Sequence, residues 1–174
     1  MSQEGPGSKN IVKQVVEQVV GPAAKEKRAQ YSNAKKNVSE LIVDSRITNP
    51  DFQSEKLPKE TKMELINSIA AVNDSELAGR TLQQVRLEKD ERTPLMNVVL
   101  AHKDAEQAQR TLCTTFGHDS IALDSDERDA LINVIIEDKG PFVSRFIRKA
   151  LEVSELTQEQ KERLQKASEE VSKN

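Results

Sequence analysis

The stretch L-E-K-D-E-R-T-P-L at residues 87–95 recurs as L-D-S-D-E-R-D-A-L at residues 123–131. In both stretches a leucine is followed three residues later by an acid and eight residues later by another leucine. The same spacing begins at Leu57 and at Leu156, so successive copies start 30 to 36 residues apart. Periods of this length are typical of stacked helical repeats, whose units are too small to bury their apolar faces alone.

Further matches place the copies in a common register. Asparagine stands ten residues after the opening leucine in the first three copies, at Asn67, Asn97 and Asn133. Arg80-Thr81-Leu82 recurs 30 residues later as Arg110-Thr111-Leu112. The sequence therefore predicts an all-α fold, a helical-repeat solenoid of about three repeats with an N-terminal helical lead-in and a C-terminal capping helix.

The composition agrees with a helical binding module. Of the 174 residues 32% are charged and 3% are aromatic, which favours helices with solvated outer faces. The net charge of -3 does not suggest bulk nucleic-acid binding. The single cysteine fits a reducing compartment, and the chain lacks both a membrane-length apolar run and an apolar signal core. We expect a cytoplasmic protein, or one delivered into a host cytosol without a cleaved signal.

The chain divides into three parts. Residues 1–9 are expected to be a disordered tail, residues 10–56 an N-terminal helical segment and linker, and residues 57–174 the repeat domain with its cap. An apolar stripe from Ile11 to Val20 predicts a helix in the lead-in. Thr157 and Gln160 have the spacing of a capping box and are expected to open the final, capping helix.

Each repeat is predicted to contain two short helices. A capping box at Thr61-x-x-Glu64 and the pair Thr93-Pro94 indicate where the first helices begin in two copies. Residues 130–136 are rich in β-branched side chains, so a buried strand is the alternative there; we predict a helix. The most amphipathic second helix is predicted over Phe142–Leu151, with Phe142 and Phe146 on its buried side.

The repeats resemble those of a known family. Thr93-Pro94-Leu95 matches the threonine-proline-leucine at the helix start of an ankyrin repeat, and Ala130-Leu131 occupies the matching place 36 residues later. Residues 57–156 thus resemble degenerate ankyrin repeats, with Met96 and Ile132 where that motif has histidine. The resemblance implies a non-catalytic protein-binding scaffold, of a kind common among bacterial effectors and host-interaction proteins. Another two-helix solenoid is the alternative.

The expected partner is another protein, bound on the concave face of the repeats. In ankyrin-like stacking that face would carry Asn67, Asn97 and Asn133, with Arg92 and Arg128 at its rim. Such a polar strip suits an acidic or backbone-rich surface. The alternative is structural, an asparagine ladder whose hydrogen bonds tie neighbouring repeats together.

Two other functions are open. Cys113 and His118 lie five residues apart and could form a nucleophile and base in a helical enzyme or an enzyme inhibitor, although no orienting group or oxyanion donor accompanies them. The basic residues of the N-terminal segment, among them Lys25, Arg28 and Lys35, could bind RNA. We expect no enzyme activity and no cofactor. We also expect no metal site, because the acids near Asp124 have the spacing of helix caps and lack that of a calcium loop.

Overall fold

The computed structural model describes residues 22–46, 57–114 and 123–173, and within them the fold is all-helical. The predicted tail, the Ile11 to Val20 helix, most of the linker and His118 lie outside the described residues. The described helices, in chain order, are α1 (Pro22–Arg46), α2 (Lys59–Ala71), α3 (Ser75–Gln84), α4 (Lys89–His102), α5 (Ala105–Thr114), α6 (Ser125–Glu137), α7 (Val143–Leu151) and α8 (Gln158–Val171).

The helices contact one another in a regular order along the chain. Helices α2, α4, α6 and α8 pack in succession and form a first series, while α1, α3, α5 and α7 do so in a second series. The most extensive contacts join α1 to α2, α3 to α4 and α5 to α6, and those of α7 with α8, α2 with α4 and α3 with α5 follow equally. Among the described helices, none touches a helix more than two places away in the chain. Each helix therefore depends on its sequence neighbours for burial.

One apolar core runs through all eight described helices. The second leucine of the repeat motif is fully buried in three copies, at Leu95, Leu131 and Leu164, whereas Ile66 takes this place in the first copy. Burial of such a side chain stabilises the fold by about 1.5 to 3 kcal/mol. The shared core explains why this leucine recurs, because it fills the space between successive helices.

Helix α1 belongs to the same core. Ala34, Val38 and Leu41 are buried at helical spacing and pack with the apolar residues of the repeats. Residues 22–30, in contrast, are exposed on every side of the helix. The segment that the sequence separates from the repeat domain thus supplies a helix that packs on it.

Two predicted helix starts are wrong. Helix α2 begins at Lys59 after Pro58, so Thr61 and Glu64 do not form its capping box. Helix α4 begins at Lys89, which places Thr93-Pro94 inside the helix. The Glu91 carboxylate accepts the backbone N–H of Glu88 at 2.8 Å, and this local bond sets the start of α4 several residues earlier than the proline suggests.

Other local predictions are confirmed. The segment 130–136 is helical and lies within α6. Thr157 and Gln160 form the predicted capping box of α8, with reciprocal bonds of 3.2 and 3.0 Å between the backbone N–H of each residue and the side chain of the other. Asp124 and Glu127 form an equivalent pair at the start of α6, with both bonds at 2.9 Å.

The turns after α2 and α4 share an unusual backbone conformation. Asn73 and Lys103, 30 residues apart, adopt left-handed φ angles of 55° and 51°. Asparagine tolerates this conformation better than lysine. Asp74 and Asp104 follow, and their carboxylates accept the N–H groups of Leu77 at 2.8 Å and of Gln107 at 3.1 Å. The copies therefore share turn geometry and a cap as well as apolar spacing.

In two of the first-series helices, α2 and α4, a cation near the helix start bridges to a capping side chain on the next helix of that series. Lys62 lies 3.2 Å from Glu91, and Arg92 donates to Glu127 through Nε at 2.7 Å and Nη2 at 2.5 Å. Glu91 and Glu127 are themselves the capping residues of α4 and α6. Each carboxylate thus accepts a backbone N–H at the start of its own helix and also pairs with a cation of the preceding helix, which holds the two helices together.

Between α6 and α8 no cation pairs with the capping residue, and the ion pair of Arg163 with Asp129 at 2.6 Å joins these helices instead. Arg128 occupies the position of Arg92, and each donates from Nη1 to the carbonyl of the leucine five residues earlier, Leu123 or Leu87. The capping residue of α8, however, is Gln160, whose Nε2 donates to the Ser125 carbonyl at 3.3 Å. The Nε of Arg128 is buried and has no hydrogen-bond partner among the described residues.

None of the described helices combines the length and the apolar character that crossing a membrane requires.

We expect Arg92→Met to lower the free energy of unfolding by about 3 kcal/mol, because it leaves the largely buried Glu127 carboxylate without its cation. The control is Arg80→Met, since Arg80 pairs with Glu76 in the open and should cost about 0.5 kcal/mol or less. Urea unfolding followed by circular dichroism measures both. Equal costs for the two variants would show that the bridge contributes no more than a surface pair.

Candidate protein-binding surfaces

The predicted asparagine strip lies on the first series. Asn67, Asn97 and Asn133 are exposed on α2, α4 and α6. Asn133 accepts a hydrogen bond from Arg163 of α8, which fits the ladder interpretation at that position. Within the described residues, the structure records no side-chain hydrogen bond for Asn67 or Asn97. These two amides are therefore available to a partner.

The two arginines predicted at the rim make contacts within the protein. Arg92 is 5% exposed, and its guanidinium is held by Glu127 in the bridge between α4 and α6. Arg128 is half-buried and donates to the Leu123 carbonyl. Both side chains thus serve contacts inside the protein. Their spacing in the sequence shows that they are repeated. Spacing alone does not distinguish an arginine that binds inside the protein from one that is exposed at the rim.

A groove between α5 and α7 is the second candidate surface. Glu106, Gln109 and Arg110 of α5 line one side, and Phe142, Arg145 and Phe146 line the other. We call this set the α5–α7 groove. Its volume is about 210 Å³, below the roughly 300 to 1,000 Å³ of typical small-molecule sites. The groove therefore suits a single anchoring side chain of a larger partner better than it suits a metabolite.

Phe142 is the exposed aromatic at this groove, and its predicted burial is wrong. Helix α7 begins at Val143, and Phe142 is the preceding N-cap residue. The buried stripe consists of Val143, Ile147 and Ala150, which leaves Phe142 60% exposed and Phe146 half-buried. The Gly140-Pro141 turn shifts the helix start by one residue relative to the predicted stripe. A large aromatic side chain left in water is a feature of binding anchors.

The charges around the groove are unequal. On α5, Arg110 pairs with Glu106 four residues earlier. Helix α7 carries Arg145, Arg148 and Lys149 and has no acid. Lys149 pairs with Glu152 at 2.9 Å, while Arg145 and Arg148 are exposed and form no ion pair with any residue that the structure describes. The α7 side of the groove is therefore cationic.

Cys113 lies near this groove, in a setting that does not activate a thiol. Its Sγ accepts from Gln109 Nε2 at 3.0 Å and donates to the Lys149 carbonyl at 3.5 Å. Burial raises the pKa of the Cys113 thiol above its usual value. Nucleophilic cysteines require the opposite shift. His118, the base of the alternative enzyme hypothesis, lies outside the described residues.

The basic residues of α1 present an open surface. Lys25, Arg28 and Lys35 are exposed, and the Lys35 ammonium lies 4.7 Å from the centre of the Tyr31 ring. A single half-buried aromatic side chain that a lysine already covers offers little stacking area for RNA bases. The RNA-binding alternative stays a prediction.

The acids near Asp124 act as caps and bridges. A hydrogen bond from Lys89 and another from the backbone N–H of Glu127 hold the pKa of Asp124 below its usual value. Asp129 accepts from Arg163 of α8 at 2.6 Å. Within the described residues, no group of three or more histidine, cysteine or acidic side chains is arranged to hold a metal ion.

No protein-family model matches this chain, and no curated protein or solved structure matches it either.

We expect the folded protein to protect Cys113 from thiol reagents. Near neutral pH, iodoacetamide should react about 10-fold or more slowly with the native chain than with the chain unfolded in guanidinium, because a raised pKa leaves less thiolate. The rate in the native state should rise as pH increases towards the elevated pKa. Faster reaction in the native state would revive the nucleophile hypothesis.

Proposed function

We propose that this protein is a non-catalytic protein-interaction module built as a helical-repeat solenoid. The pattern of contacts between helices supports the architecture, since every described helix packs only on helices one or two places away in the chain. Such proteins offer extended surfaces formed by successive units. The ankyrin-like assignment is part of the proposal; the repeat length and two-helix layout favour it, whereas the early start of α4 does not.

The observation that carries the binding function is the exposure of Phe142 at the α5–α7 groove. Only Val43 and Phe142 are exposed among the large hydrophobic residues described. Val43 stands on α1, whereas Phe142 lies beside a recess that Phe146 also lines. Energetic anchors of protein interfaces are often aromatic residues next to a pocket. We therefore place the primary binding surface at the α5–α7 groove.

The asparagine strip is the second candidate surface. Its support is the exposure of Asn67 and Asn97, which make no recorded hydrogen bond within the described residues. Amides in register on successive helices would bind the backbone of an extended segment. Of the arginines predicted at the rim, Arg92 does not contribute, because it is buried.

The test is selection from a displayed library of random twelve-residue peptides. We expect enriched peptides whose binding falls about 10-fold or more with Phe142→Ala, because the aromatic anchor is lost. Val43→Ala is the matched control, since it removes the other exposed apolar side chain and should leave binding unchanged. The melting temperatures of both variants should stay near that of the parent protein.

Two outcomes would contradict the assignment. Binding that survives Phe142→Ala and is lost in the Asn67→Ala, Asn97→Ala double variant would move the interface to the asparagine strip. Binding that is unchanged in all these variants would remove both surfaces from the proposal.

A further inference from the structure

We propose that the α5–α7 groove binds an acidic peptide segment that carries an apolar anchor side chain. This inference rests on the proposed interaction function and names the partner chemistry of the same site. The partner would place its anchor against Phe142 and Phe146 and a carboxylate against Arg145, while Arg148 is exposed further along the same helix.

The charge argument comes from comparing the second-series helices. Arg80 on α3 and Arg110 on α5 each pair with a glutamate four residues earlier. Position 141, four residues before Arg145, is a proline, and position 144, four residues before Arg148, is a serine. Arg145 and Arg148 thus lack the acid four residues earlier with which Arg80 and Arg110 pair. Arginine binds carboxylates through two parallel hydrogen bonds, so these guanidinium groups can receive acidic side chains.

The spacing joins this charge to the apolar contact. Phe142, Arg145 and Phe146 stand at i, i+3 and i+4, so they lie on one side of α7, and all three line the groove. A bound segment that reaches Phe142 therefore also meets Arg145. A partner with both an apolar side chain and nearby carboxylates would satisfy the two features together.

A nucleic acid fits the site less well. Only two cations on α7 lack an ion pair among the described residues, whereas nucleic-acid surfaces gain affinity from many phosphate contacts. The site therefore favours a short acidic peptide over a phosphate backbone.

The experiment measures fluorescence anisotropy with a fluorescein-labelled twelve-residue peptide in which glutamates surround two leucines four residues apart. Two matched peptides replace the leucines with serines or the glutamates with lysines, and a labelled oligouridine tests RNA. We expect the acidic leucine peptide to bind about 10-fold or more tightly than the other three probes. Arg145→Glu should weaken its binding by about 10-fold or more, Phe142→Ala should weaken it similarly, and Val43→Ala should leave it unchanged.

The contrary results are equally defined. No binding of the acidic leucine peptide, equal binding of the serine or lysine peptide, tighter binding of oligouridine, or an unchanged affinity with Arg145→Glu would each overturn the inference. If the displayed library gives peptides that require Phe142 but are not acidic, the partner chemistry is wrong and the interaction function stands. If the library gives no peptide that depends on Phe142, the groove itself is not the interface.

Discussion

The contact between a cation on one first-series helix and the capping carboxylate of the next is the constraint that orders α2, α4 and α6 relative to one another. Arg92 and Glu127 show it most fully, because two guanidinium nitrogens, Nε and Nη2, donate to the carboxylate and the pair is largely buried. A buried carboxylate is costly to desolvate. Here the carboxylate is held by a cation and also accepts the N–H of Asp124 at 2.9 Å. The two bonds together fix where α6 begins and how it sits on α4.

This constraint limits what the remaining surface can do. With α2, α4 and α6 joined near their N-terminal ends, the second-series helices pack on the first series through the shared apolar core. The short buried stripe of α7 uses Val143, Ile147 and Ala150, so Phe142 and the cations of the helix stay outside. The groove between α5 and α7 is thus a consequence of how the last pairs of helices stack.

Much of the fold could be predicted from the sequence, because apolar spacing and caps are local signals. The helical state of residues 130–136 and the Thr157 to Gln160 capping box are confirmed. The start of α4 could not be read from Thr93-Pro94, since the capping bond of Glu91 outweighs the preference of proline for the first helical turn. The exposure of Phe142 could not be predicted, since its spacing of four residues from Phe146 does not show where the helix begins.

The candidate site was less predictable, because the recurrence of a residue does not show whether its side chain is buried or exposed. Arg92 and Arg128 recur in register, and only the packed structure shows that Arg92 faces Glu127 of the neighbouring helix. The asparagine positions recur in the same way and are exposed. The α5–α7 groove depends on two sets of residues that lie 32 to 40 positions apart in sequence, and no local motif marks it.

The most direct test of the account is to supply, between α6 and α8, the missing pair of a cation with the capping residue. Gln160 is the capping residue equivalent to Glu127, so we expect Gln160→Glu to offer a carboxylate to Arg128, whose Nε is buried and has no hydrogen-bond partner among the described residues. Urea unfolding should give a coupling of about 1 kcal/mol in a double-mutant cycle, with Gln160→Glu more favourable when Arg128 is present than when it is replaced by methionine. An identical effect of Gln160→Glu in both backgrounds would contradict the claim that these residues join successive repeats.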